Sequence, residues 1–246
     1  WLQSTTTMRQ MRHTLQRQRL LLVRRAFNEE VAEAVLAALE RSASHPGRWE
    51  RQRARDGASY YRRHTLRAEQ LGSEAALEEV AAFFSTELFG RLLLQLAGIN
   101  HRQLREQPQL AGVRACWYRP GDWERISRAA SPSGAMGDTS TALYFRWTLT
   151  RERSTELGGL LASCCPLRRF LPAFNSLAVR LLRSSREAVF MTPVSAQARS
   201  PRRRLFALEG WLPLPGAWQL SEPLLHRLWQ LPRVAVVNSH ARVLEA

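Results

Sequence analysis

The spacing of apolar residues changes along the chain, from a helical repeat in its first hundred residues to alternation further on. Apolar residues recur every three to four positions over residues 27–39. Asn28, near the start of this segment, is a favourable N-cap residue. The same spacing predicts a second helix capped by Ser73 and a third that begins at Ser85-Thr86 and ends at Gly98. The first part of the chain therefore predicts a layer of helices.

Alternation of apolar and other residues is clearest over residues 141–150, where Leu143 and Phe145 alternate with Tyr144 and Arg146. Proline and glycine residues separate this segment from the other candidate strands. Those candidates cover residues 113–118, 160–164, 176–182, 188–194 and 204–211. Helices followed by a run of short strands predict an α+β fold, with the helices packed on a sandwich or barrel.

The N-terminal 25 residues differ in character from those that follow. Residues 8–25 contain six arginines and no acidic residue, and Ser4 and Thr5–Thr7 precede them. This composition is typical of a mitochondrial targeting segment, and it also fits a basic arm that lies against a partner. We therefore divide the chain into residues 1–25, a domain over residues 26–212, and a Pro-rich extension over residues 213–246. The domain combines helices at 26–98 with a β-core at 113–212, and the extension is expected to hold a helix at 224–231 and a strand at 234–238.

Composition changes this picture mainly through charge. The 36 basic residues outnumber the 21 acidic residues, which gives a net charge of +15, and every basic residue is an arginine. A strongly positive surface suits nucleic acid, anionic lipid or an acidic protein subunit. Three cysteines in 246 residues exclude a disulfide scaffold. No stretch reaches the ~20 apolar residues of a membrane helix, so we expect a globular chain without a transmembrane segment.

Motifs in the strand region follow one another in an order that is typical of a known family. They are Tyr118 with Gly121, Gly158-Gly159, a strand led by Pro172, the pair Pro193-Val194, and Arg203-Arg204 leading to Gly210-Trp211. Over residues 27–212 this order resembles the iron- and 2-oxoglutarate-dependent oxygenases of the prolyl 4-hydroxylase type. The resemblance implies a double-stranded β-helix, or jelly-roll, with supporting N-terminal helices.

The residues that hold iron in that family are missing at the corresponding positions of this chain. The family binds Fe(II) with two histidines and one carboxylate. Counted from Gly121, these ligands fall on Ser127, Ala129 and Val189, none of which can bind iron. No histidine lies between positions 101 and 226, a stretch that contains nearly all of the expected β-core. The resemblance therefore implies a degenerate oxygenase without the family's metal.

One cofactor position does have a candidate. Arg204, or its neighbour Arg203, matches the basic residue that would hold a carboxylate of 2-oxoglutarate in the family. Because the metal ligands are missing, we expect Arg204 to be a vestige of that contact. The sequence thus predicts a pseudoenzyme of the 2-oxoglutarate oxygenase type, with no catalytic residue, no metal and no cofactor.

Other chemical sites are weaker in the sequence. Cys164-Cys165 and Cys116 do not form a zinc set, because adjacent cysteines in a strand face opposite sides and no nearby histidine completes the ligands. Residues 48–70 are polar, favour an exposed strand or long loop, and mix arginines with aromatic residues. Arginine with aromatics suits phosphate contact and base stacking. RNA binding therefore remains open as an alternative.

The sequence favours an accessory subunit of a large mitochondrial assembly, with the respiratory NADH dehydrogenase complex (complex I) as the first choice. The eight tryptophans and the many arginines suit contacts with other protein subunits, since both residue types are favoured at interfaces. Two alternatives stay open. One is a protein of the mitochondrial ribosome, or one that contacts RNA or anionic lipid through its arginines. The second is an active 2-oxoglutarate-dependent prolyl hydroxylase with an atypical metal site.

Overall fold

The computed structural model describes residues 5–18, 20–56, 59–72, 74–99, 110–127, 141–151, 158–159, 161–164, 167–171, 173–182, 188–196 and 204–214. The helix and the strand expected within residues 213–246 lie outside the described residues, as do Ser73, Ala129 and Arg203. The described residues form an α+β fold in which helices cover one face of a curled antiparallel sheet.

Five α-helices and one 3-10 turn lie within the described residues. They are α1 (Thr5–Gln18), α2 (Glu29–Ala43), the 3-10 turn Pro46–Arg48, α3 (Ala68–Leu71), α4 (Ala75–Phe84) and α5 (Glu87–Ala97). The start of α2 is confirmed, because the side chain of Asn28 accepts a 2.7 Å hydrogen bond from the backbone N–H of Glu30. Both ends of α5 are also confirmed, with Thr86 as its N-cap and Gly98 in the left-handed conformation at its C-cap.

The start of α4 differs from the sequence expectation. Its N-cap is Glu74, one residue after the predicted Ser73, and the side chain of Glu74 makes no capping hydrogen bond. That carboxylate instead accepts a 2.9 Å hydrogen bond from Arg41 at the end of α2, which links the two helices. No single described helix is long and apolar enough to cross a membrane. Helices α4 and α5 together have the length and composition for it, but they are bent by 51° relative to each other.

The described strands form one sheet. They are β1 (Leu20–Val23), β2 (Glu50–Asp56), β3 (Ser59–Arg67), β4 (Ala111–Tyr118), β5 (Trp123–Ser127), β6 (Ala142–Thr148), β7 (Leu161–Cys164), β8 (Leu167–Phe170), β9 (Ser176–Leu182), β10 (Ala188–Met191) and β11 (Leu205–Pro213). Their order is β1-β9-β6-β11-β4-β3-β5-β10-β7-β8, with β2 paired to β3. β3 pairs with β4 through residues 64–67 and with β5 through residues 60–62, so it joins the two halves of the curled sheet.

Strand β3 corrects the expectation of an exposed strand or loop over residues 48–70. β2 and β3 form an antiparallel hairpin, and residues 63–66 at the C-terminal end of β3 are buried. The reason is tertiary: β3 lies in the middle of the curled sheet, paired with β4 and β5, so residues 63–66 are covered on both faces, while Arg62 and Arg67 remain partly exposed. A charged strand in the middle of a sheet is not expected from composition, because charged residues are rarely fully buried unless they are paired.

The larger half of the sheet has two different faces. On one face Phe145 of β6 packs against the helices, with ring centroids 5.0 Å from Phe84 and 5.1 Å from Phe89. On the opposite face lie Tyr144 and Arg146, the neighbours of Phe145 along the strand. This alternation was predicted from the sequence, and it separates an apolar helix–sheet core from an enclosed interior that is largely polar.

The N-terminal segment, which the sequence sets apart as a targeting segment or a basic arm, packs against the helix–sheet core. β1 pairs antiparallel with β9, and Met11, Leu15, Leu21 and Val23 are buried. The Arg12 side chain donates a 3.0 Å hydrogen bond to the last turn of α5. Burial of these four apolar side chains favours docking over an extended arm. Residues 5–18 and 20–23 thus share a core with the helices and strands that follow them.

Candidate functional site

The interior face of the curled sheet carries a dense cluster of charged side chains. Four arginines contribute to it, each at most 8% exposed, and two glutamates lie among them at 1% exposed or less. The arginines are Arg63, Arg114, Arg146 and Arg180, and the glutamates are Glu124 and Glu209. They come from six different strands, β3, β4, β6, β9, β5 and β11. We refer to these six residues as the interior network, in which Arg180 is included because it pairs with Tyr144 in the β6–β9 register and so lies on the same face.

Glu209 contacts three arginines of this network. Its Oε1 atom accepts hydrogen bonds from Arg114 Nε at 2.9 Å and from Arg63 Nη1 at 3.2 Å. Its Oε2 atom accepts a 2.6 Å hydrogen bond from the Tyr144 hydroxyl and lies 3.5 Å from Arg146 Nη1. Three guanidinium groups thus share one carboxylate that is completely buried.

Glu124 approaches the same arginines from β5. Its Oε1 atom forms an ion pair with Arg63 Nη1 and lies 3.8 Å from Arg114 Nη2. Its Oε2 atom accepts a hydrogen bond from the Tyr118 hydroxyl and lies 3.6 Å from Arg146 Nη1. Because β5 belongs to the smaller half of the sheet, Glu124 ties the two halves together across the interior.

Aromatic rings complete the surroundings of the arginines. The Cζ atom of Arg114 lies 4.6 Å from the ring centroid of Trp211, and that of Arg146 lies 4.8 Å from the ring of Tyr118. Arg146 also donates a 3.1 Å hydrogen bond to the Tyr118 hydroxyl. Cation–π contacts of this kind strengthen when they are removed from water, so the rings help to hold buried positive charge.

Burial and charge shift the acidities of the network residues in a consistent way. Burial alone would raise the pKa of Glu209, but the nearby Arg114, Arg63 and Arg146 outweigh it and hold that pKa well below its usual range. Burial raises the pKa of the Tyr118 and Tyr144 hydroxyls well above the usual value, and it raises the pKa of the Cys116 thiol. Glu209 is therefore ionised, and both tyrosines and Cys116 are neutral, at physiological pH.

Acidification is expected to destabilise the fold through Glu209. A carboxyl group whose pKa is lower in the folded than in the unfolded state stabilises fully above its unfolded-state pKa of about 4.3. That contribution is lost as the pH falls from there towards the folded-state pKa. Urea unfolding followed by tryptophan fluorescence should give midpoints that fall steadily below about pH 5. A midpoint that stays constant from neutral pH to pH 3 would contradict the role assigned to Glu209.

The structure brings two of the predicted metal positions close together in the sheet. Ser127 of β5 pairs with Ala188 of β10, directly beside Val189, which pairs with Ile126. Ala129, the third position, lies outside the described residues. The backbone thus places Ser127 and Val189 on neighbouring strands.

Arg204, the predicted cofactor contact, lies away from the interior network. Its Cζ atom is 5.7 Å from the ring centroid of Trp117, which packs on the helix side of the sheet with Trp49 and Phe206. The next residue, Leu205, belongs instead to the interior cluster of Tyr118, Tyr144 and Trp211. Contact of Arg204 with 2-oxoglutarate stays a prediction that no observation here tests.

The iron of the resembled family does not fit the side chains described here. Among the described residues, no group of three or more His, Cys, Asp or Glu side chains lies where it could hold a metal ion. The interior carboxylates of Glu124 and Glu209 already contact three guanidinium groups, and a divalent cation at this place would meet strong repulsion from them. We therefore assign no chemical step to iron on these residues.

The remaining chemical candidates are only partly described. Cys116 is a buried free thiol beside the interior network. Cys164 ends β7, while Cys165 lies outside the described residues. Arg62 of the arginine-rich hairpin is engaged by Asp122, whose Oδ1 atom lies 3.0 Å from its Nε atom. This ion pair uses one of the arginines that suggested RNA contact.

The interior network itself was missed by sequence analysis. Its signal was present, because Arg146, Arg180 and Glu209 are each the one charged residue in a strand of mostly apolar residues. The alternating pattern suggested only which positions share a face, and such a polar face is most often solvated. Charges of both signs at inward positions of different strands would have indicated an enclosed ion-pair cluster.

Comparison with known proteins places the fold. No protein-family model and no curated protein matches the sequence. A prolyl-4-hydroxylase from Pseudomonas putida matches with a TM-score of 0.56 at 16% identity, covering 83% of this chain and 97% of that one. A prolyl hydroxylase from Trichoplax adhaerens, in complex with a hypoxia inducible factor peptide fragment, matches with a TM-score of 0.58 at 12% identity, over 85% and 93%. An oxidoreductase of the 2OG-Fe(II) oxygenase family from Burkholderia pseudomallei matches with a TM-score of 0.53 at 14% identity, covering 83% of this chain and 90% of that one. These matches confirm the jelly-roll fold.

The same matches overturn the prediction that the chain is a pseudoenzyme. The matching structures are described as hydroxylases and oxygenases, so this fold is one that catalytic proteins use. Counting from Gly121 assigned the ligand positions, yet identities of 12% to 16% do not fix such a count residue by residue. Missing histidines at counted positions therefore do not establish that the chain lacks an enzymatic activity.

Proposed function

We propose that this chain, which has the jelly-roll fold of the prolyl 4-hydroxylases and related oxygenases, is an accessory subunit of a large mitochondrial assembly. The observation that carries the proposal is the charge outside the interior network. Four arginines and two glutamates give that network +2, so +13 of the total of +15 lies elsewhere on the chain. So large an excess of one charge is matched in an assembly by acidic partners.

The helix layer favours a protein partner over RNA. Exposed carboxylates lie on it, with Glu29 and Glu30 in the first turn of α2. Large apolar side chains are also exposed there, with Leu88 71% and Val31 44% accessible. A phosphate backbone would be repelled by these carboxylates, whereas a protein surface can match both the charges and the apolar side chains.

The mitochondrial location and the identity of the assembly rest on the sequence. Residues 8–25 are rich in arginine and free of acidic residues, which is typical of a mitochondrial targeting segment. Among mitochondrial assemblies we place the respiratory NADH dehydrogenase complex first, and the mitochondrial ribosome is the alternative because of the positive charge.

Native purification tests the proposal directly. The chain, tagged at its C-terminus, is isolated under mild conditions from mitochondria and sized before and after ribonuclease treatment. We expect it to migrate within a complex of many proteins, with subunits of the respiratory enzyme among them and no effect of ribonuclease. Ribosomal RNA in the complex would instead identify the assembly as the mitochondrial ribosome. Migration alone, near the chain's own 28.1 kDa, would overturn the proposal.

Oxygenase catalysis is the second candidate, and the shared fold favours it. The matched hydroxylases cover most of this chain and are themselves covered almost completely. The purified chain would be given Fe(II), 2-oxoglutarate and proline-containing peptides, and succinate would be measured. Succinate formation that depends on added iron would establish the activity. Its absence, together with no iron binding by calorimetry, would count against the candidate.

A further inference from the structure

A cleft opens on the helix side of the sheet, and none of the six residues of the interior network lines it. It has a volume of about 440 Å³ and lies where the end of α2, the 3-10 turn and the β4–β5 turn meet. Its lining residues are Ala43, Ser44, Pro46, Trp117, Tyr118, Arg119, Pro120 and Arg204. Trp117 forms its floor and is only 7% exposed. The cleft is thus built on a buried residue of the sheet.

Two arginines lie over that floor. The Cζ atom of Arg119 is 4.1 Å from the ring centroid of Trp117, and that of Arg204 is 5.7 Å from the same centroid. Because both Cζ atoms are measured from the same centroid, they can be no further apart than the sum of these two distances. The ring therefore holds two positive charges close together, although like charges repel each other at such distances.

Neither guanidinium group forms an ion pair with a carboxylate in the part of the chain that the structure describes. The nearby Asp122 is buried and already occupied. Its Oδ1 atom pairs with Arg62 at 3.0 Å, and its Oδ2 atom accepts a 2.8 Å hydrogen bond from the backbone N–H of Arg119. Oδ2 also lies 3.4 Å from His64. No carboxylate of the described residues therefore neutralises this pair of charges.

We propose that the cleft binds a short acidic segment of a partner protein, with its carboxylates on Arg119 and Arg204. A guanidinium group held on a ring is preorganised, so it loses little freedom when a carboxylate binds its two parallel N–H donors. The end of α2 borders the cleft, and its partial negative charge opposes an anion. That effect amounts to about half a charge, whereas two full positive charges attract the ligand.

The geometry favours a peptide over a nucleic acid. Single-stranded RNA binds mainly by stacking its bases on open aromatic faces. Trp117 offers no such face, since it is almost completely buried and both arginines lie over its ring. The prolines and Ala43 instead form apolar walls that can contact the side chains of a peptide. Arginine and tryptophan in one pocket are also typical of strong protein–protein contacts.

This inference rests on the proposed function only in its choice of a protein partner. Binding to the cleft is measured on the isolated chain, while the accessory-subunit role is tested by native purification. Either result can therefore fail without the other. A chain that binds acidic peptide through the cleft and yet migrates alone would keep the site and lose the assembly.

The test uses fluorescein-labelled hexaglutamate and the full chain, followed by fluorescence anisotropy at low ionic strength. The double variant Arg119→Gln/Arg204→Gln removes both charges of the cleft. The matched control, Arg9→Gln/Arg24→Gln, removes two exposed charges from α1 and from the end of β1, across the sheet from β4. Circular dichroism and urea midpoints confirm that each variant is folded.

We expect the cleft variant to bind the peptide about tenfold or more weakly than the wild type, and the control to change affinity by less than about twofold. The variant Arg119→Lys/Arg204→Lys should fall between them, because lysine keeps the charge but loses the planar two-pronged contact. Equal losses of affinity in the cleft variant and the control would overturn the proposed site. They would show that the peptide binds only through the overall positive charge of the chain. Labelled oligouridylate is measured in the same way. If its binding needs Arg119 and Arg204 while the binding of hexaglutamate does not, the site binds RNA rather than an acidic peptide.

Discussion

The substitution Glu209→Gln is expected to lower the free energy of unfolding by about 3–5 kcal/mol. It keeps the size of the side chain but removes the charge that Arg63, Arg114 and Arg146 share. Those three guanidinium groups stay buried, with Glu124 as their remaining carboxylate among the described residues. An uncompensated buried charge is costly, because water no longer solvates it.

Urea unfolding at neutral pH measures this loss. The matched control is Glu87→Gln, which removes one partner of an exposed ion pair with Arg91 on the surface of α5. Exposed pairs of this kind contribute about 0.3–0.5 kcal/mol, so the control should remain close to the wild type. A loss below about 1 kcal/mol in Glu209→Gln would show that the interior network is not the stabilising unit described here.

The second large effect is expected from Phe84→Ala, which should lower the free energy of unfolding by about 3–5 kcal/mol. Phe84 is completely buried at the end of α4. Its ring centroid lies 4.8 Å from that of Phe89 in α5 and 5.0 Å from that of Phe145 in β6. Truncation would leave a cavity where the two helices meet the sheet, and the surrounding rings cannot close it without moving both helices.

The neighbouring residue provides the control for this change. Phe83 is 37% exposed, so Phe83→Ala has the same chemistry but leaves no enclosed cavity. We expect it to cost about 1 kcal/mol or less. Chemical unfolding of both variants, with thermal unfolding as a second measure, tests the difference. Equal losses would mean that the contact of Phe84 with Phe145 is not what holds the helices on the sheet.

The two substitutions address the two sides of the same sheet. Phe145 and Arg146 are adjacent in β6, and one packs on the helices while the other joins the interior network. The helix side is stabilised by apolar burial, which depends little on pH. The interior side depends on the ionisation of Glu209, so acid should weaken it first. The pH dependence and the Phe84 variant together separate these contributions.

Local sequence signals placed many of the regular elements. Asn28 satisfies a backbone N–H of α2 through its own side chain, and Gly98 ends α5 because it adopts a left-handed conformation that other residues avoid. The strand at residues 176–182 was predicted with its observed bounds. These features depend on residues close in sequence, so a local pattern is enough to find them.

The sequence by itself determined the α+β class, the apolar face of β6 and the resemblance to prolyl 4-hydroxylases, because each depends on spacing along the chain. Tertiary structure decided the burial of β3, the docking of β1 against β9, and the meeting of Glu124 with Glu209 in the interior network. It also decided that Arg204 shares Trp117 with Arg119. These pairs lie far apart in sequence, and only the curling of the sheet determines which charged side chains are enclosed together and which face a cleft.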